Sequence, residues 1–193
     1  MTMTLDLARA PRAGAYFLEY VDRGRYDGAT IYRAGSLDGE AAPQLIQGGV
    51  LQGALASTGK VNLAEFDVQT LPEFETTSQS GLQHDFATVS LARDLLSTGD
   101  AIPEFVIYLR RGPQADENGA TRPDHRGYPV IGQVVAGMDV VRAVTRLERN
   151  GATTIAFLKG QVLTEPVRIH RALRISCEAA ESQVQHAAPA TPH

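Results

Sequence analysis

The feature that most constrains the fold of this chain is its run of short, strand-like segments. Apolar and β-branched residues alternate or cluster there, between turn-forming Gly, Pro, Asn and Asp. Strands are predicted at residues 3–7, 29–33, 45–50, 62–71, 87–92, 104–109, 129–135, 161–162 and 167–175. Many strands with few helices favour an antiparallel barrel or sandwich over alternating βαβ units. A closed barrel would also leave no exposed strand edges.

Only two segments show the periodicity of a helix. Residues 12–23 carry apolar side chains at i, i+3, i+4 and i+7, with Pro11 before them and Gly24 after them. Proline suits the first turn of a helix, and glycine often follows the last. Residues 138–149 repeat valine and leucine in the same way, and Gly151 follows. Two helices are therefore predicted beside the strands.

The chain has the length and composition of one globular domain. It has 193 residues, of which 43% are hydrophobic and 21% charged, as in ordinary soluble proteins. Residues 1–175 are predicted to form this domain. Residues 176–193 are rich in Ala, Pro, Gln and Ser without periodicity, which is typical of a disordered tail.

Charge and cysteine content exclude several classes of function. The net charge is −4, and no dense stripe of Lys and Arg provides the surface that nucleic-acid binding requires. Cys177 is the only cysteine, so neither an intrachain disulfide nor a cysteine-based zinc site can form. We expect no nucleic-acid partner and no metal.

The N-terminus predicts no membrane contact. Residues 1–7 contain no basic region followed by a long apolar run, so neither a signal peptide nor a membrane span is expected. This favours a cytoplasmic location, whereas an upstream start that encodes a signal peptide would place the protein in the periplasm.

Two polar side chains stand out on neighbouring predicted strands. Arg33 ends the strand at residues 29–33, and Gln47 lies in the strand at 45–50, with two glycines after it. Strand alternation could turn both toward one face, where they could grip a peptide amide. The simpler alternative is that Arg33 pairs with a surface carboxylate while Gln47 bonds its own strand. The polar segments 34–44 and 110–127 exceed ordinary loop lengths and are candidate functional loops.

Several motifs of the chain are similar to those of the cyclophilins, the peptidyl-prolyl cis/trans isomerases. Residues 31–33 (Ile-Tyr-Arg) resemble the family's aromatic-His-Arg signature, and its Gln-Gly-Gly signature is intact at 47–49. Residues 131–141 follow its Phe-Gly-x-Val-x-x-Gly-Met-x-Val-Val block. Residues 90–93 and 104–107 resemble its Ser-Met-Ala and Gln-Phe-Phe-Ile segments. The Tyr32–Arg33 pair and residues 158–161 (Leu-Lys-Gly-Gln) look like a divergent bacterial branch.

The resemblance implies a cyclophilin-like antiparallel β-barrel of seven or eight strands capped by two α-helices. It implies cofactor-free isomerisation of X-Pro bonds in peptides and unfolded client proteins. By the same resemblance, Arg33 would stabilise the twisted amide and Gln47 would hold the substrate backbone. The implied substrate-binding residues are Leu45, Leu91, Ala92, Glu104, Val106, Tyr128 and Ile131.

The chain departs from the family in its substrate pocket. Val106 and Ile131 replace phenylalanines, Leu91 replaces a methionine, and Tyr128 stands in place of a histidine. The pocket is therefore predicted to be apolar, wider and less aromatic. Glu104 stands where the family usually has glutamine, and we expect it to form a salt bridge with Arg33.

A second departure concerns the first strand. The family usually has an extra strand before the one predicted at residues 3–7, so the barrel is expected to have an unpaired edge. An upstream start or degeneration of the fold would each explain this. Two alternatives to an active isomerase follow: a catalytically weak module that binds peptides or acts as a chaperone, and a structural relic.

Overall fold

One antiparallel sheet of seven strands dominates the computed structural model, which describes residues 1–40, 42–59, 61–94 and 98–175. The order across the sheet is β1-β6-β4-β5-β3-β2-β7. The fold is therefore mainly β, as predicted. The strands are β1 (Thr2–Leu5), β2 (Thr30–Gly35), β3 (Leu45–Gly49), β4 (Thr88–Arg93), β5 (Ala101–Tyr108), β6 (Val130–Ala136) and β7 (Val162–Arg168).

The sheet is not closed. Within the described residues, β1 pairs only with β6 and β7 pairs only with β2. An unpaired edge was predicted for the first strand, and the last strand provides the other. Both edges carry features that discourage pairing with another chain, because β1 has only four residues and β7 contains Glu165 and Pro166.

Four α-helices are present in the described part of the chain: α1 (Pro11–Asp22), α2 (Ala54–Thr58), α3 (Thr77–Ser80) and α4 (Met138–Val144). The two predicted helices correspond to α1 and α4. Both α2 and α3 are little more than one turn long, and such short helices carry too few residues to show a periodic pattern. Single turns of 3₁₀-helix occur at Leu63–Phe66, Pro113–Ala115 and Ala156–Leu158.

Helix α1 covers one side of the sheet. It begins at Pro11, which has no backbone N–H to leave unsatisfied, and the chain turns at Gly24 with a φ of +66°. Its buried face includes Phe17, whose ring centroid lies 5.0 Å from that of Tyr26. Burying a side chain of this size stabilises the fold by about 2–3 kcal/mol. The helix thereby packs against β5 and β6 and forms one wall of the main core.

The prediction of a strand at residues 62–71 is wrong. The Asn62 side chain accepts a hydrogen bond from the backbone N–H of Ala64, and Asp67 is left-handed with φ of +49°. This capping bends the chain into the 3₁₀ turn at Leu63–Phe66. Of the predicted strand, only an isolated bridge between Leu71 and Ala101 remains.

The C-terminal predictions are also corrected. Helix α4 ends at Val144 rather than at residue 149, because the following segment bonds to β7: Thr164 N–H donates to the Glu148 carbonyl. The strands predicted at 161–162 and 167–175 are one strand, β7. It ends at Arg168, close to the point where its partner β2 begins. Residues 176–193, the predicted tail, lie outside the described residues.

No helix in the described ranges is both long and apolar enough to cross a membrane.

Candidate active site around Arg33

A β-bulge in β2 sets the direction of the Arg33 side chain. Ile31 pairs with Gly48 and Arg33 pairs with Gln47, so Tyr32 is an extra residue with no partner of its own on β3. A bulge of this kind kinks the strand and redirects neighbouring side chains. As a result, the consecutive residues Tyr32 and Arg33 both line one cavity, although unbulged alternation would have sent them to opposite faces.

The Arg33 guanidinium is held by three neutral acceptors. Nη1 donates to Gln47 Oε1 over 2.9 Å, and Nη2 donates to the Ser36 carbonyl over 3.0 Å. Nε and Nη2 both donate to Gln161 Oε1, over 3.2 and 2.7 Å. Arg33 is only 7% exposed and forms no ion pair with any described residue. Burial lowers the pKa of Arg33, but an arginine stays protonated in proteins.

Gln161 is a site residue that sequence reasoning missed. Its Oε1 accepts from Arg33 and also from the backbone N–H of Ser36 over 3.0 Å, while its Nε2 donates to the Phe157 carbonyl over 2.7 Å. The amide is therefore fixed in orientation at both ends. The only hint in the sequence is the block at residues 158–161, and nothing in it points to an arginine 128 positions earlier.

Gly35 makes room for this arrangement. A Cβ atom at position 35 would collide with the side-chain carboxamide of Gln161. The glycine is needed for close approach of the Gln161 side chain to the strand that carries Arg33.

The predicted pair of Arg33 and Gln47 is present. The two residues are directly paired across β2 and β3, and Gln47 accepts from Arg33 through its side-chain oxygen. The Gln47 amide nitrogen carries two N–H donors, of which one interacts with the Tyr32 hydroxyl and the other is left for a further acceptor. The alternative, in which Arg33 pairs with a surface carboxylate, is not what the structure shows.

A cavity of about 330 Å³ opens beside the guanidinium, which is at the small end of the range for ligand pockets. Polar groups on its wall include Arg33, Gln47, Thr121 and Tyr128. The guanidinium has five N–H donors, and the four hydrogen bonds to Gln47, Ser36 and Gln161 use four of them. One N–H of Arg33 Nη1 therefore has no partner among the described residues. The remaining lining residues are Tyr32, Ser36, Leu37, Ala56, Ile155, Phe157 and Leu158.

Tyr128 is the one implied substrate-binding residue that lines this cavity. The others lie elsewhere: Leu45, Leu91, Ala92, Val106 and Ile131 are buried in the main core, each at most 6% exposed. Val106 is directly opposite Gln47 on β5, but its side chain is packed. Tyr108, opposite Leu45, is also buried, and its ring centroid lies 4.8 Å from that of His84. The predicted wider substrate pocket is therefore not open at Leu45, Leu91, Ala92, Val106 or Ile131, because all five side chains are packed in the core.

The predicted salt bridge between Glu104 and Arg33 is wrong. Glu104 is fully buried, and its Oε1 accepts from the backbone N–H of Leu51 over 2.7 Å. It reaches Leu51 across Gly49, where a Cβ would lie only 2.5 Å from the carboxylate oxygen. The second oxygen, Oε2, has no hydrogen-bond partner. Burial raises the pKa of Glu104 to about 7, against lowering contributions from Leu51 N–H and the Tyr32 hydroxyl.

The described ranges contain no group of three or more His, Cys, Asp or Glu residues that could hold a metal ion.

Comparison with known proteins places these features in a family. The model of the family "Cyclophilin type peptidyl-prolyl cis-trans isomerase/CLD" matches residues 1–173. A comparison with curated protein sequences gives no significant match.

Solved structures share the fold. A Cryptosporidium parvum cyclophilin-type peptidyl-prolyl cis-trans isomerase, crystallised in the presence of the dipeptide Ala-Pro, matches with a TM-score of 0.52 and 15% identity, covering 86% of this chain and 90% of that chain. A second crystal structure of this enzyme gives a TM-score of 0.50 at 15% identity, covering 86% and 89% of the two chains. The cyclophilin AquaCyp293 from Hirschia baltica gives 0.49 at 15% identity, covering 86% and 68%.

At 15% identity the two Cryptosporidium parvum structures show the fold alone, whereas the family model spans nearly all of the sequence that forms it. The chain belongs to the cyclophilin-type peptidyl-prolyl cis-trans isomerase family.

Proposed function

We propose that this protein isomerises X-Pro bonds in peptides and unfolded client proteins, with Arg33 as the catalytic residue. The observation that carries the proposal is a buried, unneutralised guanidinium with one free N–H beside a cavity. The general function of the family is this reaction. The assignment of roles to individual residues of this chain is our own.

The chemistry requires little more than a well-placed donor and a grip on the peptide. The X-Pro amide resists rotation with a barrier of about 18–20 kcal/mol, because twisting destroys its resonance. In the twisted state the prolyl nitrogen regains a lone pair that can accept a hydrogen bond. A donor that bonds this lone pair stabilises the transition state and not the planar ground state.

Arg33 is suited to this role because its charge is not cancelled. Its partners are two side-chain carboxamides and a carbonyl, so no carboxylate competes for the guanidinium. A charge-assisted bond in a partly dry site is stronger than one in water. Shortening an isomerisation of about 100 s to about a millisecond requires roughly 7 kcal/mol, so one bond must be combined with fixation of the peptide.

Gln47 would provide part of that fixation. Its oxygen is engaged by Arg33 and one of its amide N–H groups by the Tyr32 hydroxyl, so the second N–H can donate to a substrate carbonyl at the cavity wall. Tyr128, which also lines the cavity and is partly exposed, would contact the substrate from the opposite loop. The Ala-Pro dipeptide used with the Cryptosporidium parvum enzyme is a suitable minimal probe of the same class of ligand.

The test is two-dimensional exchange NMR on a short Ala-Pro peptide with catalytic amounts of protein. Wild type should accelerate cis/trans exchange, and Arg33→Ala should lose about 100-fold or more, the typical effect of removing one transition-state donor. Arg33→Lys, which keeps the charge, should retain part of the rate. The matched control is Arg171→Ala, at an exposed position remote in sequence. Equal rates for wild type and Arg33→Ala would remove Arg33 from the mechanism.

One observation favours a second function, a peptide-binding module with weak catalysis. The side chains expected to form an apolar proline pocket are packed into the core. A module of this kind would show chemical-shift changes around Arg33 on peptide addition without faster exchange. Acceleration that depends on Arg33 would exclude it.

A further inference from the structure

The cavity at Arg33 is lined in part by a group of apolar and aromatic residues that the family resemblance does not imply. They are Ile155, Phe157 and Leu158 of the segment that precedes β7, together with Ala56 of α2 and Tyr32. We refer to these five residues as the apolar recess. Phe157 is 58% exposed, so much of its ring is open to solvent where it lines the cavity.

The recess is built on its own packed cluster. Tyr32, Ala56, Leu158 and Val162 form a hydrophobic cluster separate from the main core, and Ile155 packs against it. Hydrogen bonds join the two elements: Thr153 Oγ1 donates to the Ala56 carbonyl over 2.7 Å, and Thr154 N–H donates to the Ser57 carbonyl over 2.8 Å. The recess is therefore a preformed feature of the fold.

The recess is also connected to the catalytic group. The Phe157 carbonyl accepts from Gln161 Nε2, and Gln161 Oε1 accepts from Arg33. Tyr32 is the bulge residue next to Arg33. A peptide whose X-Pro bond lies at the guanidinium would thus place a neighbouring side chain within reach of the recess.

We infer that the apolar recess is a substrate subsite that binds an aliphatic or aromatic side chain directly flanking the proline, and so gives the enzyme a preference for such peptides. This rests on the proposed function, because it requires the peptide to lie at Arg33. Phe157 is the specificity-determining residue, since its exposed ring would be covered by the occupant.

The chemistry of the walls selects against an acidic occupant. Recognition of a carboxylate by arginine uses two parallel N–H donors. On Arg33 the edge formed by Nε and Nη2 is already taken by Gln161, and Nη1 offers a single N–H. The five recess residues carry no charge, so burying a carboxylate among them would be unfavourable.

The experiment uses the full-length protein and a set of peptides of the form Ala-X-Pro-Y-Ala. The parent has alanine at X and Y, and the others place leucine or glutamate at X or at Y. Exchange NMR gives kcat/KM for each. We expect wild type to prefer one of the leucine peptides over the parent by about tenfold, in line with what an apolar pocket discriminates.

Phe157→Ala and Ile155→Ala should reduce this ratio to near one. The matched control is Phe86→Ala, because Phe86 is 49% exposed and lies in a different cavity beside β1, and it should keep the ratio. Substitution of an exposed phenylalanine leaves the Phe157 carbonyl in place for Gln161. The inference would be overturned if both recess variants kept the wild-type ratio of kcat/KM between the leucine and alanine peptides. A preference of the wild type for glutamate over leucine peptides would overturn it as well.

Failure of the proposed function can be told apart from failure of the subsite. If wild type accelerates no peptide, the isomerase proposal fails, and NMR titration then tests the recess by itself. Tighter binding of a leucine peptide that shifts the Ile155 and Leu158 methyl signals, and that is lost in Phe157→Ala, supports the subsite. Equal affinity for leucine and alanine peptides contradicts it.

Discussion

At the scale of the residue, the main feature of the site is that the buried guanidinium of Arg33 is hydrogen-bonded to neutral groups and keeps its charge. Arg33 uses four of its five N–H donors on carboxamide and carbonyl oxygens. An acidic partner would satisfy it more strongly, but it would also neutralise the charge that the proposed mechanism directs at the twisted amide. Glu104, the nearest candidate by sequence reasoning, is directed to Leu51 N–H instead.

Gln161 should act as a positioning residue for Arg33. Gln161→Ala removes the acceptor of two guanidinium donors, and we expect kcat for Ala-Pro exchange to fall by about tenfold because the free donor loses its direction. KM should change little, since Gln161 does not line the cavity. Gln133→Ala, at an exposed position on β6, is the matched control. A fall in stability without any change in kcat would indicate a purely structural role.

Gly35→Ala should impair the same contact from the other side. The new methyl group would collide with the Gln161 carboxamide, so we expect a loss of activity similar to that of Gln161→Ala. The two changes act on one interaction, and the double variant should therefore lose clearly less than the sum of the single losses. Exchange rates of the four proteins in a double-mutant cycle measure this, and strict additivity would argue against the contact.

Glu104 should make stability depend on pH. Its pKa is about 7 in the folded protein, against 4.5 for an unperturbed glutamate, so the folded state holds the proton more tightly. This stabilisation is complete below about pH 4.5 and is lost as pH rises through about 7. The difference between the two pKa values corresponds to about 3–4 kcal/mol of stability.

Glu104→Gln should abolish this dependence. The amide keeps an oxygen for Leu51 N–H and places an NH₂ group where Oε2 has no partner. We expect the free energy of unfolding of the variant to exceed that of wild type at pH 8, and the two to converge near pH 4. Urea titrations across this range provide the measurement. Parallel curves for the two proteins would show that Glu104 does not titrate as described.

At the scale of the element, the long loop between β5 and β6 determines where Tyr128 lies. Tyr128 N–H donates to the Ala115 carbonyl over 3.0 Å. Next to Ala115, Asp116 Oδ1 binds the backbone N–H of His84 over 3.1 Å and its Nδ1 over 2.6 Å. His84 is completely buried. This pair ties the loop to the segment before β4.

Asp116→Ala should loosen that attachment. Loss of two hydrogen bonds to a charged acceptor beside a buried ring predicts destabilisation by about 2–3 kcal/mol. Tyr128 is bonded to this loop through Ala115 and lines the cavity. Loosening the loop should therefore also raise KM for the Ala-Pro peptide. Thermal unfolding and exchange kinetics check the two effects, with Glu165→Ala on the exposed edge of β7 as the control. Unchanged stability would show that the pair is dispensable.

At the scale of the whole molecule, the described fold is complete before the C-terminal segment begins. The last strand ends at Arg168, and the family match ends at residue 173. We expect a chain shortened by residues 176–193 to keep both its free energy of unfolding and its exchange rate. Urea unfolding and exchange NMR on the shortened protein test this. A clear loss of either would assign the segment a structural or functional role.

Local pattern was sufficient for much of the architecture. Strands β4, β5 and β6 and helix α1 are close to their predicted bounds, because burial of one face imposes a period that short-range sequence displays. The segment 62–71 differs from its prediction as a strand because its apolar residues favour an extended chain, whereas the Asn62 side chain caps a 3₁₀ turn. Residue preferences alone cannot show which of the two forms, since the capping hydrogen bond exists only if the chain turns there.

The family, the mainly β fold and the Arg33–Gln47 pair can be predicted from the amino-acid sequence, because they follow from motifs and from the pairing of neighbouring strands. The residues that surround this pair can be found only in the folded structure. The bulge at Tyr32, the approach of Gln161 over Gly35 and the turning of Glu104 toward Leu51 each depend on chain segments that are distant in sequence. Such contacts leave no periodic signal, because they arise from three-dimensional packing and not from local preference.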